Sequence, residues 1–243
     1  MSVGLSLPRP LTKEEADSLR WPPLNLRAHV KILVTDPGGS VVREVEGDVT
    51  DGFTSDFVNW LWGALTYPLW QSQGGVAVHD VAGNVLMLWS PGAYASPFLS
   101  LCVTGCPYTS NAPYKLTMPG IWLYSSPFSP NPYVWGNYGN LITPITYYSP
   151  TPSPPIGTYP TVTYGGTASM SIAQQMTNTS GSTLTVSSFA LVAAAYFITG
   201  GALNQTPAYI GILYFDLAAL GQSPITWSPA AGMTVTVTIQ AAT

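Results

Sequence analysis

Few side chains of this 243-residue sequence belong to types that carry out acid–base or nucleophilic chemistry, and they are widely scattered. His79 and Asp80 are neighbours and could form two parts of a hydrolase triad, in which a carboxylate orients an imidazole. The sequence has no Gly-x-Ser-x-Gly turn to present a nucleophile and no glycine-rich phosphate-binding loop. We therefore predict that the protein is not an enzyme.

Metal ligands are equally sparse in this sequence. The two histidines, His29 and His79, lie far apart, and neither belongs to a cluster of cysteines and histidines with zinc-site spacing. We therefore predict that the protein holds no metal ion and no cofactor.

Cys102 and Cys106 are the pair of side chains that could form a covalent link. A three-residue spacer that contains Gly105 allows a small disulfide ring, whereas in a reducing compartment both thiols stay free. We favour the disulfide, which closes a short loop and therefore stabilises by only about 2 kcal/mol.

Two N-glycosylation sequons begin at Asn178 and Asn204. The first lies within residues 177–182, a run of small polar residues and glycine that predicts a turn. We therefore expect Asn178 to be exposed as a possible acceptor of a glycan.

Charge is rare and very unevenly distributed along the chain. Asp, Glu, Lys and Arg make up 7% of the residues, and 15 of these 18 side chains lie within residues 1–56. The others are Asp80, Lys115 and Asp216. With a net charge of −4 and no basic cluster, the chain lacks what a nucleic-acid interface needs to neutralise phosphates.

Two explanations fit this shortage of charge. A fold with few carboxylates has little stability to lose in acid, which suits an exterior surface in a harsh or acidic medium. Alternatively, much of the surface is covered by other subunits in an assembly. We find no secretory signal at the N-terminus, and the most apolar window, 189–203, is too short to span a bilayer and is broken by Gly200 and Gly201.

The C-terminal part, residues 169–243, carries the clearest strand signals. Residues 170–176 and 183–191 alternate on either side of the turn 177–182, which predicts a hairpin. Residues 232–240 place Met233 and three β-branched residues on one face and threonines on the other, the period of a half-buried strand. The apolar run 208–216 predicts a strand buried on both faces, and 223–229 predicts a short edge strand.

The N-terminal part predicts an arm, two hairpins and two helices. Residues 1–24 form the arm, with a short helix that a capping box at Thr12 begins; it either packs on its own domain or docks on a neighbouring subunit. Residues 26–46 form a hairpin that turns at 36–39, and residues 75–89 form another. Between them, the aromatic stripe of residues 54–65 predicts an amphipathic helix that Thr54 or Ser55 caps.

Residues 91–166 contain 14 of the 23 prolines and most of the tyrosines. Proline cannot donate to a sheet, so we predict long ordered loops with a few short strands such as 120–124. The aromatic side chains of these loops suit stacking on sugars or large contacts with protein, although packing on the chain's own sheet is the simpler role for each tyrosine.

Several of these segments together resemble a family. The chain is similar to β-rich virion structural proteins of tailed phages and of viruses that infect hyperthermophilic archaea, from about residue 26 onward. The segments that carry the resemblance are Gly47-Asp48 before the aromatic helix, 79–84, 119–121, 176–186, 223–227 and 233–237. The resemblance implies a surface, tail-fibre or capsid-associated role, and it transfers no site residues.

From these observations we predict a mainly β protein with an antiparallel β-sandwich or jelly-roll core, organised as the arm 1–24 and a single domain 25–243. We expect a non-enzymatic virion structural protein, at the virion surface or extracellular, whose partners are copies of itself, other virion proteins and possible host glycans or receptors. The alternatives are a pilus or filament subunit joined by strand exchange, or a glycan-binding adhesin. We expect a subunit contact at one of the two terminal strands, through Leu26, Val30, Val34, Val235, Val237 and Ile239.

Overall fold

The computed structural model describes a large part of the chain, including both ends of the β-rich region. The described residues are 25–50, 52–61, 76–80, 83, 85–88, 99–100, 119–127, 140–143, 145–148, 151–153, 167–199 and 202–242. The predicted arm 1–24 with its helix, and most of the proline-rich region 91–166, lie outside these residues.

Within the described residues the chain forms fourteen strands and one helix, residues 55–61. The strands are β1 (Asn25–Thr35), β2 (Val41–Val49), β3 (Val76–His79), β4 (Val85–Leu88), β5 (Leu99–Ser100), β6 (Gly120–Tyr124), β7 (Thr146–Tyr147), β8 (Thr151–Ser153), β9 (Thr167–Thr177), β10 (Leu184–Val186), β11 (Ser188–Thr199), β12 (Ala202–Asp216), β13 (Ile225–Trp227) and β14 (Gly232–Ala242). The chain is therefore mainly β, as the sequence predicts.

The strands form antiparallel sheets. The largest has the order β2-β1-β14-β9-β7, with β8 also paired to β9. A second has the order β12-β11-β5, with β6 also paired to β11. Two small sheets pair β10 with β13 and β3 with β4.

The large sheet has one apolar face and one polar face. On β1 and β14 the apolar side chains alternate with polar ones, as the period-two pattern predicts. The buried members include Ala28, Val30 and Ile32 on β1 and Val235 and Val237 on β14, all without exposed surface. The large sheet therefore buries one face and leaves the opposite face polar and only partly covered.

The sheet of β6, β11 and β12 is buried on both faces along residues 120–124, 188–193 and 209–213. All five residues of β6 are buried, and so are residues 188–193 of β11. Phe189 and Phe215, which are paired in the register of β11 and β12, stack with ring centroids 5.0 Å apart. The continuous apolar run 208–216 thus belongs to a strand with both faces covered, as its sequence predicts.

One apolar core joins the sheets. Its buried residues come from the large sheet, from the sheet of β6, β11 and β12, and from β10 and β13, whose Val186, Ile225 and Trp227 have no exposed surface. A buried polar side chain crosses this core: Gln174 of β9 accepts the backbone N–H of Ile121 in β6 at 2.5 Å. The two larger sheets are therefore in direct contact at this point.

The local turns and caps follow the sequence. The backbone N–H of Gly39 donates to the carbonyl of Asp36, which closes the turn between β1 and β2, and the N–H of Gly83 does the same with Asp80 between β3 and β4. The N–H of Phe57 donates to the Thr54 hydroxyl, so Thr54 caps the helix as predicted. The described helix ends at residue 61, and residues 62–65 of the predicted helix lie outside the described residues.

The predicted hairpin of residues 170–176 and 183–191 is wrong. β9 pairs with β14, β7 and β8, whereas β10 pairs with β13, and β11 continues into the sheet with β12. The turn after β9 carries the chain out of one sheet into another instead of reversing it. Alternation indicates a strand and its buried face, but it does not identify the neighbouring strands.

Candidate functional site

Charged side chains form a ladder on the polar face of β1 and β2. Both ring nitrogens of His29 face carboxylates: Nδ1 lies 2.8 Å from Asp48 Oδ1, and Nε2 lies 3.1 Å from Glu46 Oε1. Lys31 Nζ is 2.6 Å from Glu44 Oε1 and 3.3 Å from Glu46 Oε2. Alternate residues of the two strands meet on one face, which explains why five charges lie together.

The ladder favours the charged forms of His29, Lys31 and Glu46. The hydrogen bond that His29 donates to Asp48, and to a lesser degree the one that it donates to Glu46, raises the pKa of His29 against the opposing effect of burial. The hydrogen bonds from His29 and then Lys31 lower the pKa of Glu46, and those to Glu44 and Glu46 raise the pKa of Lys31.

A cleft of about 150 Å³ opens beside the ladder, where the end of β2 meets the end of β12. Asp48 and Asp216 belong to its lining, and the partly exposed Leu220 contributes apolar surface. Gly52 forms part of the wall, and a Cβ there would lie 2.6 Å from the carbonyl oxygen of Tyr214. The cleft therefore combines two anions with an apolar wall at the rim of the core.

The loop after β12 braces the strand that carries the ladder. Arg43 of β2 donates from Nη1 to the Pro224 carbonyl at 2.8 Å and from Nη2 to the Ser223 carbonyl at 2.6 Å. A Cβ on Gly47 would lie 3.2 Å from Leu220, so the absence of a side chain there lets Leu220 approach β2. These contacts fix the wall of the cleft.

The structure brings His79 together with Asp56, a carboxylate from another element. Asp56, in the first turn of the helix, accepts the backbone N–H of His79 at 2.9 Å and lies 3.2 Å from its Nδ1. Asp56 is only 2% exposed. The pair joins the helix to β3. The sequence places Asp56 in the first turn of the predicted helix, but it does not indicate His79 as the partner of Asp56.

Asn178 is not the exposed acceptor that its sequon predicts. It is 1% exposed, and its Nδ2 donates to the carbonyls of Ser182 and Trp227, each at 2.9 Å. Its Oδ1 accepts the backbone N–H and the hydroxyl of Ser180. The turn directs this side chain inward because the amide closes an Asx turn and also binds β13.

The remaining predicted site residues divide into two groups. Cys102 and Cys106 lie outside the described residues, so their disulfide stays a prediction. Asn204 lies on β12, opposite Phe197 of β11, and therefore within a strand rather than a turn.

Neither of the two terminal strands, at one of which we expect a subunit contact, has a free edge in the described sheet. β1 pairs with β2 on one side and β14 on the other, and β14 lies between β1 and β9. Val30, Val34, Val235 and Val237 are at most 2% exposed and belong to the chain's own core. Leu26 and Ile239 are partly buried on the same two strands. The sequence does not show this because each strand's partners are far away along the chain.

Three features outside the sequence-predicted residues define the candidate site: the acidic side chains of β2, the cleft beside them and the Asp56 partner of His79. A hint of the ladder was present in the sequence, because alternating Glu44, Glu46 and Asp48 face the alternating His29 and Lys31 across a predicted hairpin. No sequence pattern predicts the cleft, because its second aspartate, Asp216, lies far from β2 along the chain.

The described part of the chain holds no group of three or more His, Cys, Asp or Glu side chains placed to bind a metal ion. Its helix is short, and no helix among the described residues has the length and apolar character that crossing a membrane requires. Comparison with protein-family models, with curated proteins and with solved structures finds no match to this chain.

Proposed function

We propose that this chain is a non-enzymatic structural protein of a virion, at its surface, in a fibre or associated with its capsid, and that it assembles with copies of itself. The observation that carries the proposal is the architecture: long antiparallel strands in two larger sheets share one apolar core. Double-sheet antiparallel folds are a common construction of capsid and attachment proteins. Few charges and many hydroxyl side chains suit a surface that lies against other subunits.

We propose further that the two larger sheets form a β-sandwich of the jelly-roll kind. Three contacts support face-to-face packing: the Gln174 hydrogen bond to Ile121, the shared core and the Arg43 brace to the loop after β12. The chain also passes from the large sheet at β9 to the other sheet at β11, and it returns at β14. Such crossings between layers are typical of Greek-key sandwiches.

The role of the polar groups supports a structural function over catalysis. Asp56 and His79 join two elements, Asn178 joins a turn to β13, and the ladder joins β1 to β2. Each of these groups is held by a contact that orders the backbone.

Strand exchange between subunits is the less favoured mode of assembly. A donated strand leaves its own sheet incomplete, whereas β14 has hydrogen-bonded neighbours on both sides within its own chain. We therefore propose contacts between folded domains.

Analytical ultracentrifugation and electron microscopy of the purified full chain test this proposal. We expect a closed oligomer or an ordered array that forms from folded subunits and depends on protein concentration. A chain that stays monomeric at every concentration would contradict self-assembly. Turnover of any substrate in a broad hydrolase screen, abolished by His79→Gln, would contradict the non-enzymatic assignment.

A further inference from the structure

Arg27 differs in its contacts from the other lysine and arginine side chains of the described residues. Lys31 binds Glu44 and Glu46, and Arg43 binds two backbone carbonyls. Arg27 is exposed on the polar face of β1, and within the described residues it makes no hydrogen bond or ion pair. A guanidinium with five donors and a fixed planar shape is well suited to bind a carboxylate on another molecule.

The acidic cleft beside the ladder has the complementary chemistry. Within the described residues, neither of its carboxylates is bound to a lysine or an arginine: Asp48 faces His29, and Asp216 accepts the backbone N–H of Ala219 at 2.6 Å. The volume of about 150 Å³ equals about five water molecules, enough for a guanidinium and part of its stem. The partly exposed Leu220 offers apolar surface to the methylene groups of such a side chain.

The positions of Arg27 and the cleft select one kind of partner. Ala28 pairs with Val49 in the register of β1 and β2, so Arg27 and Asp48 lie on the same face at the same end of the hairpin. When a donor and its acceptor lie side by side on one chain, a two-fold contact lets both copies make the interaction at once. We infer that two copies of this chain associate through a two-fold contact in which Arg27 of each copy enters the acidic cleft of the other.

This inference rests on the proposed self-assembly and names the surface that carries it. The contact lies on the polar face of the large sheet, not on the apolar faces of β1 and β14. It is electrostatic, so it weakens as salt rises and screens the charges. Surface ion pairs alone contribute little to the free energy of association. Apolar contacts between residues around the cleft therefore have to supply the rest.

Arg27→Gln and Ser169→Glu are the matched pair that tests the contact. Both make the net charge more negative by one unit on the same face, because the exposed Ser169 of β9 lies opposite Gln240, which lies opposite Arg27. Sedimentation equilibrium should show at least about a tenfold weaker dimer for Arg27→Gln and little change for Ser169→Glu, since removal of one partner from a desolvated charge pair is costly. Circular dichroism should show that both variants unfold at the wild-type temperature, because neither side chain is in the core.

A charge reversal completes the test. Arg27→Glu should abolish the dimer, and adding Asp48→Lys to it should restore association at least in part. Equal effects of Arg27→Gln and Ser169→Glu would overturn the inferred contact while self-assembly remains. A wild-type chain that is monomeric would overturn both the contact and the proposed function. The dimer could also be lost only when Arg9, Lys13 and Arg20 are replaced by glutamine. That result would show that a segment other than β1 supplies the cation in the cleft, and it would overturn the role of Arg27.

Discussion

Asn178 connects three parts of the chain through its own amide groups. Its side chain donates to the carbonyls of Ser182 and Trp227, and its backbone N–H donates to the carbonyl of Ala231 at 3.1 Å. Its backbone carbonyl accepts the N–H of Ala230 at 2.9 Å. One buried residue therefore holds the exit of β9 against the segment between β13 and β14.

Replacement of Asn178 by alanine should destabilise the fold more than any change to its exposed neighbours. The substitution leaves the buried carbonyl of Trp227 without its donor, which costs about 2–3 kcal/mol of the free energy of unfolding. Urea unfolding followed by tryptophan fluorescence measures this quantity. Thr179→Ala, at an exposed position in the same turn, should change it by less than about 0.5 kcal/mol. Equal losses in the two variants would contradict the role of the Asn178 amide.

The sequence predicts some single residues well and others poorly. Thr54 caps its helix because capping depends on residues within one turn. Asn178 and His79 are different, because their partners, Trp227 and Asp56, are 49 and 23 residues away in the chain. A local pattern contains no information about such partners, so an inward asparagine looks like a glycosylation acceptor.

Gln174 shows how the two larger sheets are kept in register. On the buried face of β9, it accepts the N–H of Ile121 and donates from Nε2 to the carbonyl of Tyr148 at 3.0 Å. Gly120 has a φ of 134°, and a Cβ at that position would lie 2.5 Å from Gln174 Oε1. A polar group in an apolar interface fixes one relative position of the sheets, because any slip leaves it without partners.

Gln174→Leu should therefore destabilise the protein although it adds an apolar side chain to the core. It leaves the buried N–H of Ile121 and the carbonyl of Tyr148 without partners, and we expect a loss of about 2–4 kcal/mol. Calorimetry or chemical denaturation gives the value. Gln175→Leu at the exposed neighbouring position is the matched control and should have almost no effect. A Gln174→Leu variant as stable as wild type would show that the hydrogen bonds are dispensable.

At the scale of elements, the sequence indicates strands but not their order. The alternation of Val235, Val237 and Ile239 predicts β14 and its buried face, and the turn at 36–39 predicts that β2 follows β1 as its partner. The pairing of β1 with β14 joins segments about 200 residues apart, and no local signal selects it. Hairpins are predictable because a short turn determines their pairing, whereas pairings across the chain depend on the packing of the whole core.

Among the described residues, most charged side chains lie on β1 and β2. Beyond residue 50, the charged residues that the structure describes are Asp56, Asp80 and Asp216, and the first two are nearly buried. The pH dependence of stability that the described residues contribute should therefore arise mainly from the ladder. The raised pKa of His29 gives stability that is present below its ordinary value of 6.5 and is lost as pH rises through the raised value. The lowered pKa of Glu46 gives stability that is present above 4.5 and is lost as pH falls through the lowered value.

His29→Gln should remove the alkaline part of this pH profile. Wild-type protein should lose less than about 1 kcal/mol of stability between about pH 6 and pH 9, because His29 is 36% exposed and solvent screens its ion pairs. The variant should show no such slope in a thermal unfolding series. Lys31→Gln is the control: Lys31 stays charged over this range, so its loss should lower stability by the same amount at each pH. A slope that persists in His29→Gln would assign it to another group.

The central position of β14 also has a consequence for biosynthesis. β1 is made first among the described strands and β14 last, yet β14 is the strand that connects β1 to β9. Until β14 has been synthesised, the large sheet is therefore divided between the hairpin of β1 and β2 and the strands around β9. Chaperones that bind exposed apolar strands have the longest access to the hairpin of β1 and β2, because it is made first.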